Sequence, residues 1–308
     1  MSTNTQQDTS SAAVVQEIMS RFHQPEVKTI DPAAEGVIIL PEGLKATALK
    51  SIMEPYRQKP ERRTGTAAFT DLDSFVAHTV RFASPSSVVF ADSNPEAPGL
   101  LAVLDYHEAG EDERVGTHNC THRGNYKFPL DKAWKAWAKV DGELMSQGDF
   151  AAFIEDRIGD VLMPPASAAD EPDAKLHELL RLLGGTIAGP SRLLDLSRGL
   201  KVNEDTKVAT AVNLSTGEGQ IQFEASHKDE AGAPLRVPNI FLLGVPVFEG
   251  GPCYRLPVRL RYRVSQGTVR WIVQRYRPEL TSTDAFTEAC QVVRDKTGLP
   301  VLLGTPEC

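Results

Sequence analysis

Residues 254–277 constrain what this chain can fold into more than any other segment. Tyr254, Leu256, Val258, Leu260, Tyr262 and Val264 alternate with Arg255, Pro257, Arg259, Arg261 and Arg263. A period of two is the signature of a strand with one face buried. From Thr268 to Arg277 the alternation resumes, with Val269, Trp271 and Val273 set against Arg270, Ile272 and Gln274. A two-residue loop at Gln266-Gly267 makes the pair a β-hairpin and sets Val264 opposite Val269, Tyr262 opposite Trp271 and Leu260 opposite Val273. Slipping the register by one residue turns the arginines inward, so the register is strongly specified. The outer face then carries Arg259, Arg261, Arg263 and Arg270, with Arg255 further along the same strand. Like charges set this close repel, and they call for an anionic partner. The partner is nucleic acid, another subunit or a neighbouring acidic helix, and the sequence leaves the choice open. Tyr276 between Arg275 and Arg277 adds an aromatic ring of the kind that single-stranded nucleic acid stacks on.

The chain has 308 residues, enough for one large domain or two modest ones. Its formal net charge of −8 argues against long-range, sequence-blind attraction to phosphate, although a local basic face acts at contact distance. Cys120, Cys253, Cys290 and Cys308 are widely separated, as expected of free thiols in a reducing compartment. The first residues lack the basic and apolar regions of a signal peptide. The most apolar run, Ile240 to Phe248, is interrupted by Gly244 and Pro246 and is too short to cross a bilayer. The expected location is cytoplasmic, with no membrane partner.

Along the chain, Ser10 to Phe22 places Val14, Val15, Ile18 and Phe22 on one helical stripe. Val37 to Leu40 predicts a strand. Thr70 to Asp73 has capping-box spacing ahead of a helix with Phe75, Thr79 and Phe82 inward. Ser87–Asp92 and Leu100–Tyr106 predict a hairpin, and Asn125–Phe128 a third strand. Asp131 and Ser146 are expected to cap two helices. The first turns Trp134, Trp137 and Ala138 inward. The second turns in Phe150, Phe153, Ile154, Ile158 and Val161, and leaves Glu155, Asp156 and Asp160 outside. Leu176–Leu183 predicts a further helix, followed by strands at Thr206–Leu214, Gln220–Ser226 and Asn239–Phe248. A last helix capped from Thr281 to Asp284 stops at Gly298, and Pro300–Leu303 closes as a strand. The expected class is α+β, with mainly antiparallel sheets, flanking helices and two subdomains able to share a core. The expected divisions are an N-terminal segment 1–30, an α+β part 31–165, an acidic linker 166–175 and a β-rich part 176–308.

Chemistry is sparse. His107, His118, Cys120 and His122, with Asp105 nearby, are the densest set of zinc-type ligands. Their spacing lacks the paired cysteines of a structural zinc site, so no metal and no cofactor is expected. Gly184 to Ser191 approaches a phosphate-binding loop, but Pro190 stands where the lysine belongs and removes a backbone N–H. The glycines there read as a helix stop and turn. No nucleophile elbow or metalloprotease helix occurs. The chain is therefore expected not to be an enzyme.

Several segments resemble a family of uncharacterised phage and prophage proteins, the YfdQ-like family. They are Leu40-Pro41-Glu42-Gly43, Gly65-Thr66, Asp73-Ser74-Phe75, Val103 to His107, Trp134-Lys135-Ala136-Trp137, Leu260-Arg261-Tyr262-Arg263 and, above all, Ser146 to Asp156. Phe150, Phe153, Ile154, Glu155 and Asp156 carry the most specific part of the pattern. What the resemblance implies is context: early, non-virion products made in a bacterial host among genes of DNA recombination and host takeover. It carries over no catalytic residue. Two roles are expected. One is a non-enzymatic structural or adaptor protein that assembles with itself through the arginine face and the N-terminal helix. The other is an auxiliary DNA-metabolism protein that holds single-stranded nucleic acid on that face.

Overall fold

The arginine hairpin forms in the register its alternation demands. Strands β13 (Cys253–Ser265) and β14 (Thr268–Arg275) pair antiparallel, with Val264 opposite Val269, Tyr262 opposite Trp271 and Leu260 opposite Val273. The structure, a computed structural model, describes residues 54–108, 116–165, 187–202, 235–265 and 268–307. It also describes residues 13, 16, 17 and 20 and the stretches 26–28, 37–39, 208–213 and 219–223. The Gln266-Gly267 turn, the acidic linker and the expected helix at Leu176–Leu183 lie outside these residues. Residues 13, 16, 17 and 20 are helical and exposed, but the stripe Val14, Val15, Ile18 and Phe22 is outside them too.

Contacts divide the chain into two units, Met1–Arg63 and Thr64–Cys308. In the first, β1 (Glu26–Lys28) pairs antiparallel with β2 (Val37–Ile39), and Arg57 meets Glu61 at 3.8 Å.

The second unit holds two five-stranded sheets. One has the order β15-β4-β5-β6-β3, built from β3 (Gly65–Phe69), β4 (Val88–Asp92), β5 (Gly99–Val103), β6 (His122–Lys127) and β15 (Val301–Leu303). The other has the order β7-β14-β13-β12-β8, with β7 (Leu144–Met145), β8 (Ile187–Ala188) and β12 (Ile240–Pro246) joining the hairpin. A smaller antiparallel sheet contains β9 (Val208–Asn213), β10 (Gly219–Phe223) and β11 (Leu235–Val237). The class is α+β. Both large sheets are mixed, however: β3 on β6, β15 on β4 and β8 on β12 run parallel, while the other described strand-to-strand pairings are antiparallel. All three parallel strands are short edge strands brought in from distant sequence. Moreover, β7 precedes the middle of the chain yet edges the arginine sheet, whereas β15 edges the first sheet.

Helices follow the caps closely. In α1 (Leu72–Phe82) the cap is Asp71 rather than Thr70; its carboxylate accepts the Ser74 N–H at 2.8 Å. The Asp131 carboxylate caps α2 (Lys132–Lys139), and the Ser146 hydroxyl caps α3 (Gln147–Arg157). Trp134 and Trp137 are buried in α2, but Ala138, expected inward, is exposed. The last helix, α5 (Pro278–Thr297), starts earlier than its Thr281–Asp284 signal. Pro278 opens it at the first position, where a missing N–H costs nothing. Ser282 and Thr283 then donate back to the carbonyls of Pro278 and Glu279 instead of capping. It ends on Gly298 at φ 68°, as expected.

One helix was not legible. α4 (Pro190–Val202) follows directly on β8 and Gly189. A Cβ on Gly189 would stand 3.0 Å from Pro164 Cδ, so the glycine permits this close crossing.

One hydrophobic cluster runs through both large sheets. The inner face of the hairpin, Leu256, Val258, Leu260, Val269, Trp271 and Val273, is buried. Phe150 of α3 stacks on Trp271 with ring centroids 4.8 Å apart, and Trp137 of α2 meets Phe241 at 5.8 Å. Phe128, just after β6, meets Phe286 of α5 at 5.5 Å and ties the first sheet into the same core. Among the described residues no helix is long and apolar enough to cross a membrane.

Candidate functional site

The outer face of β13 and β14 is where alternation places it. Arg255, Arg261, Arg263 and Arg270 are exposed, and Arg259 is half-buried. Arg263 stands directly opposite Arg270, and Arg259 opposite Gln274. No described carboxylate is within ion-pair distance of Arg259, Arg261, Arg263 or Arg270. Burial pushes the Arg259 guanidinium below its ordinary pKa, the cation of Arg261 adds to this, and Tyr276 opposes it.

Arg261 also begins an unlike row. Its opposite residue is Ile272, and Ile272 in turn pairs with Leu144 of β7, which is 52% exposed. Guanidinium and aliphatic side chains thus share one face of the sheet.

Tyr276, an expected member of the face, and its neighbour Arg275 are used elsewhere. Arg275 points to Asp141: its Nε–H donates to Oδ2 at 3.0 Å and its backbone N–H to Oδ1 at 2.9 Å. Its guanidinium carbon lies 5.0 Å from the centroid of the Trp134 ring. Tyr276 is half-buried and packs on Leu242 with Leu162 and Ile187, so its ring is not a free stacking platform.

The acidic helix is not a free counter-surface either. In α3, Asp149 is bonded by its own cap, since Ser146 Oγ donates to Asp149 Oδ2 at 2.7 Å. Glu155 is half-buried beside Ser197 of α4, whose hydroxyl lies 3.1 Å from both Glu155 Oε1 and the Ala151 carbonyl. Asp160, past the end of α3, accepts the Trp137 indole N–H at 2.8 Å. Asp156 is exposed and meets its neighbour Arg157 at 3.0 Å. Phe150 and Ile154 are fully buried and Phe153 partly so. The motif Phe150 to Asp156 therefore serves packing: it seats α3 between the arginine sheet and α4.

The histidine and cysteine set is pulled apart by its loop. The Asp105 carboxylate accepts the backbone N–H groups of Thr121 at 3.1 Å and His122 at 2.9 Å, which makes it an organiser of the turn. His107 Nδ1 accepts the His118 N–H at 3.0 Å. Cys120 is fully buried at φ 52°, with Sγ 3.5 Å from His107 Nε2 and 3.9 Å from Nδ1. Those near-equal distances put the sulfur in line with neither lone pair, unlike a nucleophile and its base. His122 instead lies against Phe82 at 5.1 Å and His78 at 6.0 Å. Among the described residues no group of three or more His, Cys, Asp or Glu side chains could hold a metal ion.

The class the fold defines is broad, a mixed α+β frame that carries an arginine-bearing sheet face. The chain belongs to an uncharacterised conserved protein family, DUF2303, whose model matches residues 1–306. No curated protein and no solved structure matches it.

Proposed function

We propose that this chain acts by binding and not by catalysis, and that it assembles with itself through the outer face of β13 and β14. The observation that carries the reading is the row Leu144–Ile272–Arg261 beside the opposed Arg263 and Arg270. Arginine mixed with accessible aliphatic side chains on one sheet face is a composition met in protein interfaces. A chain of net charge −8 also offers acidic surface of its own as the complement. Closed symmetric assemblies are the usual result of such self-complementarity.

A second reading has its own support. Three exposed guanidinium groups, Arg261, Arg263 and Arg270, are without a carboxylate partner among the described residues. A phosphate backbone satisfies such groups without further apolar contact. The likeness to phage and prophage proteins fits either role, as an early product working in the cytoplasm of a bacterial host.

Salt separates the two. Oligonucleotide binding releases counterions and falls with a log–log slope of about −0.7 per neutralised phosphate. A buried subunit contact is screened far less. Assembly mass by light scattering and binding of a labelled single-stranded oligonucleotide are measured across one salt series, for wild type and for Arg261→Glu/Arg263→Glu. A salt-resistant assembly that the double variant breaks, with no oligonucleotide binding at low salt, supports self-association. A monomer at micromolar concentration whose oligonucleotide affinity drops steeply with salt refutes it.

A further inference from the structure

Opposite in character to the arginine face is a cavity of about 350 Å³ between α1, the segment after β6, the turn ahead of β13, and α5. Tyr126, Phe128 and Phe248 contribute its aromatic wall. The three rings form a chain, with Phe128 4.9 Å from Tyr126 and 4.7 Å from Phe248. Aliphatic atoms of α5 complete the apolar lining. The rim is mainly anionic: Asp71, Asp73, Glu249 and Glu288 border the cavity, with the cation Lys296 beside them.

The carboxylates differ in how far they are already engaged. Asp73 accepts Lys296 Nζ at 2.7 Å, and Glu288 accepts the Tyr254 hydroxyl at 2.6 Å. Asp71 is held ionised, below the usual carboxylate range, chiefly by the Ser74 backbone N–H that it caps. The Glu249 side chain has no partner among the described residues.

Acidic rims are common on protein surfaces, but Tyr126 sets this one apart. Its side chain is 2% exposed, it lines the cavity, and its hydroxyl bonds to no described residue. Burial and the charges of Asp71 and Glu249 push its pKa up, so it remains a neutral phenol. Its oxygen is not sealed in the core but opens on the cavity, within the field of two carboxylates, and no described protein group uses its lone pairs.

We infer that the cavity binds an organic cation: a guanidinium or primary ammonium group on a short apolar stem. The cation head sits between Glu249, Asp71 and the Tyr126 hydroxyl, and the stem lies on Phe128 and Phe248. Each part has a physical reason. Carboxylates and a phenol oxygen accept the several N–H bonds that such a head donates. Ring faces attract the cation at short range. The apolar lining removes the stem from water. A neutral ligand of the same shape leaves the rim charges unmatched, and an anion is repelled.

The cation has two sources, a free small molecule or the tip of an arginine or lysine side chain. The test uses n-butylguanidinium as the free probe, n-butylurea as its neutral analogue and acetyl-Gly-Arg-Gly-amide as the side-chain probe. Titration calorimetry on the full chain reads affinity, and saturation-transfer NMR reads which protons touch the protein. Binding of n-butylguanidinium with n-butylurea silent is expected. Glu249→Gln, an exposed change, weakens binding about tenfold, the worth of one charge-assisted hydrogen bond. Tyr126→Phe removes only an unpartnered hydroxyl, so the fold is retained, and it weakens binding several-fold. Equal binding of the tripeptide assigns the site to a protein side chain, whereas binding of the free probe alone assigns it to a small molecule. Failure of both probes to bind at millimolar concentration overturns the inference. So does equal binding of n-butylurea, or affinity unmoved by both substitutions.

Discussion

Replacing Asp141 with alanine isolates a well-buried ion pair. Arg275 is 10% exposed and Asp141 23% by side chain. The substitution removes two hydrogen bonds at once, one from the Arg275 backbone N–H and one from its Nε–H. It leaves the guanidinium on Trp134 with no counter-ion, although Nη1 is already a buried donor without a partner. Breaking one side of a fully buried pair costs about 3–5 kcal/mol, and a charge-assisted bond alone about 1.5–3 kcal/mol. Since the Asp141 pocket admits some water, the expected loss is about 2–3 kcal/mol. Urea unfolding followed by tryptophan fluorescence should show the midpoint falling by roughly 1 M, for a slope near the upper end of the usual range. Asp156→Ala is the control: its carboxylate is 69% exposed and meets only Arg157, so less than about 0.5 kcal/mol is expected. If Asp141→Ala costs no more than Asp156→Ala, the reasoning fails. It also fails if Asp141→Ala and Arg275→Met add without coupling in a double-mutant cycle.

Three further outcomes are expected. In a Cys308→Ser background, Ellman's reagent at pH 8 should label exposed Cys253 at once. Buried Cys120 and Cys290, the latter with its pKa pushed up by burial to about 11, should react only on unfolding. His78 is held below its ordinary 6.5, first by burial and then by His122 and Arg81, so the folded state resists the proton that the unfolded chain accepts. Stability from this site is therefore complete above 6.5 and lost as pH falls toward the folded value, and the urea midpoint of His78→Leu should drop less than wild type between pH 7.5 and pH 5.5. Gly124→Val should destabilise by about 1–3 kcal/mol in the same assay, because even a bare Cβ there meets His78 Nδ1 and Phe69 Cε2 at 3.3 Å.

The hairpin was readable because Leu256 to Tyr262 and Val269 to Val273 alternate without interruption, and period fixes both register and face. Caps were readable for the same local reason, with Asp131 and Ser146 where expected. The parallel edges were not. Ile187–Ala188 is too short to carry a period, and Val301–Leu303, though expected as a closing strand, gives no sign of its parallel partner far back along the chain. α4 escaped because Pro190 reads as a breaker but opens a helix when it stands at the first position. The arginine face was legible as a face, but not the fates of Arg275 and Tyr276. Asp141 lies more than a hundred residues from Arg275, and nothing local announces the pair. The cavity was invisible for the same reason: Asp71, Tyr126, Glu249 and Glu288 converge only in space.

The reciprocal edge strands bear on how the chain can be made. Leu144–Met145 belongs to a sheet whose other strands are synthesised later, and Val301–Leu303 completes a sheet whose other strands are synthesised first. The arginine sheet lacks its full set of strands until translation has passed residue 275, and the first sheet until it has passed residue 303. Cutting the gene anywhere in 166–186 would therefore yield two fragments, each with a bare strand edge where the other fragment's peptide belongs. Each should be insoluble when expressed alone. Expressed together, the fragments should rescue one another, because each carries the strand that the other lacks.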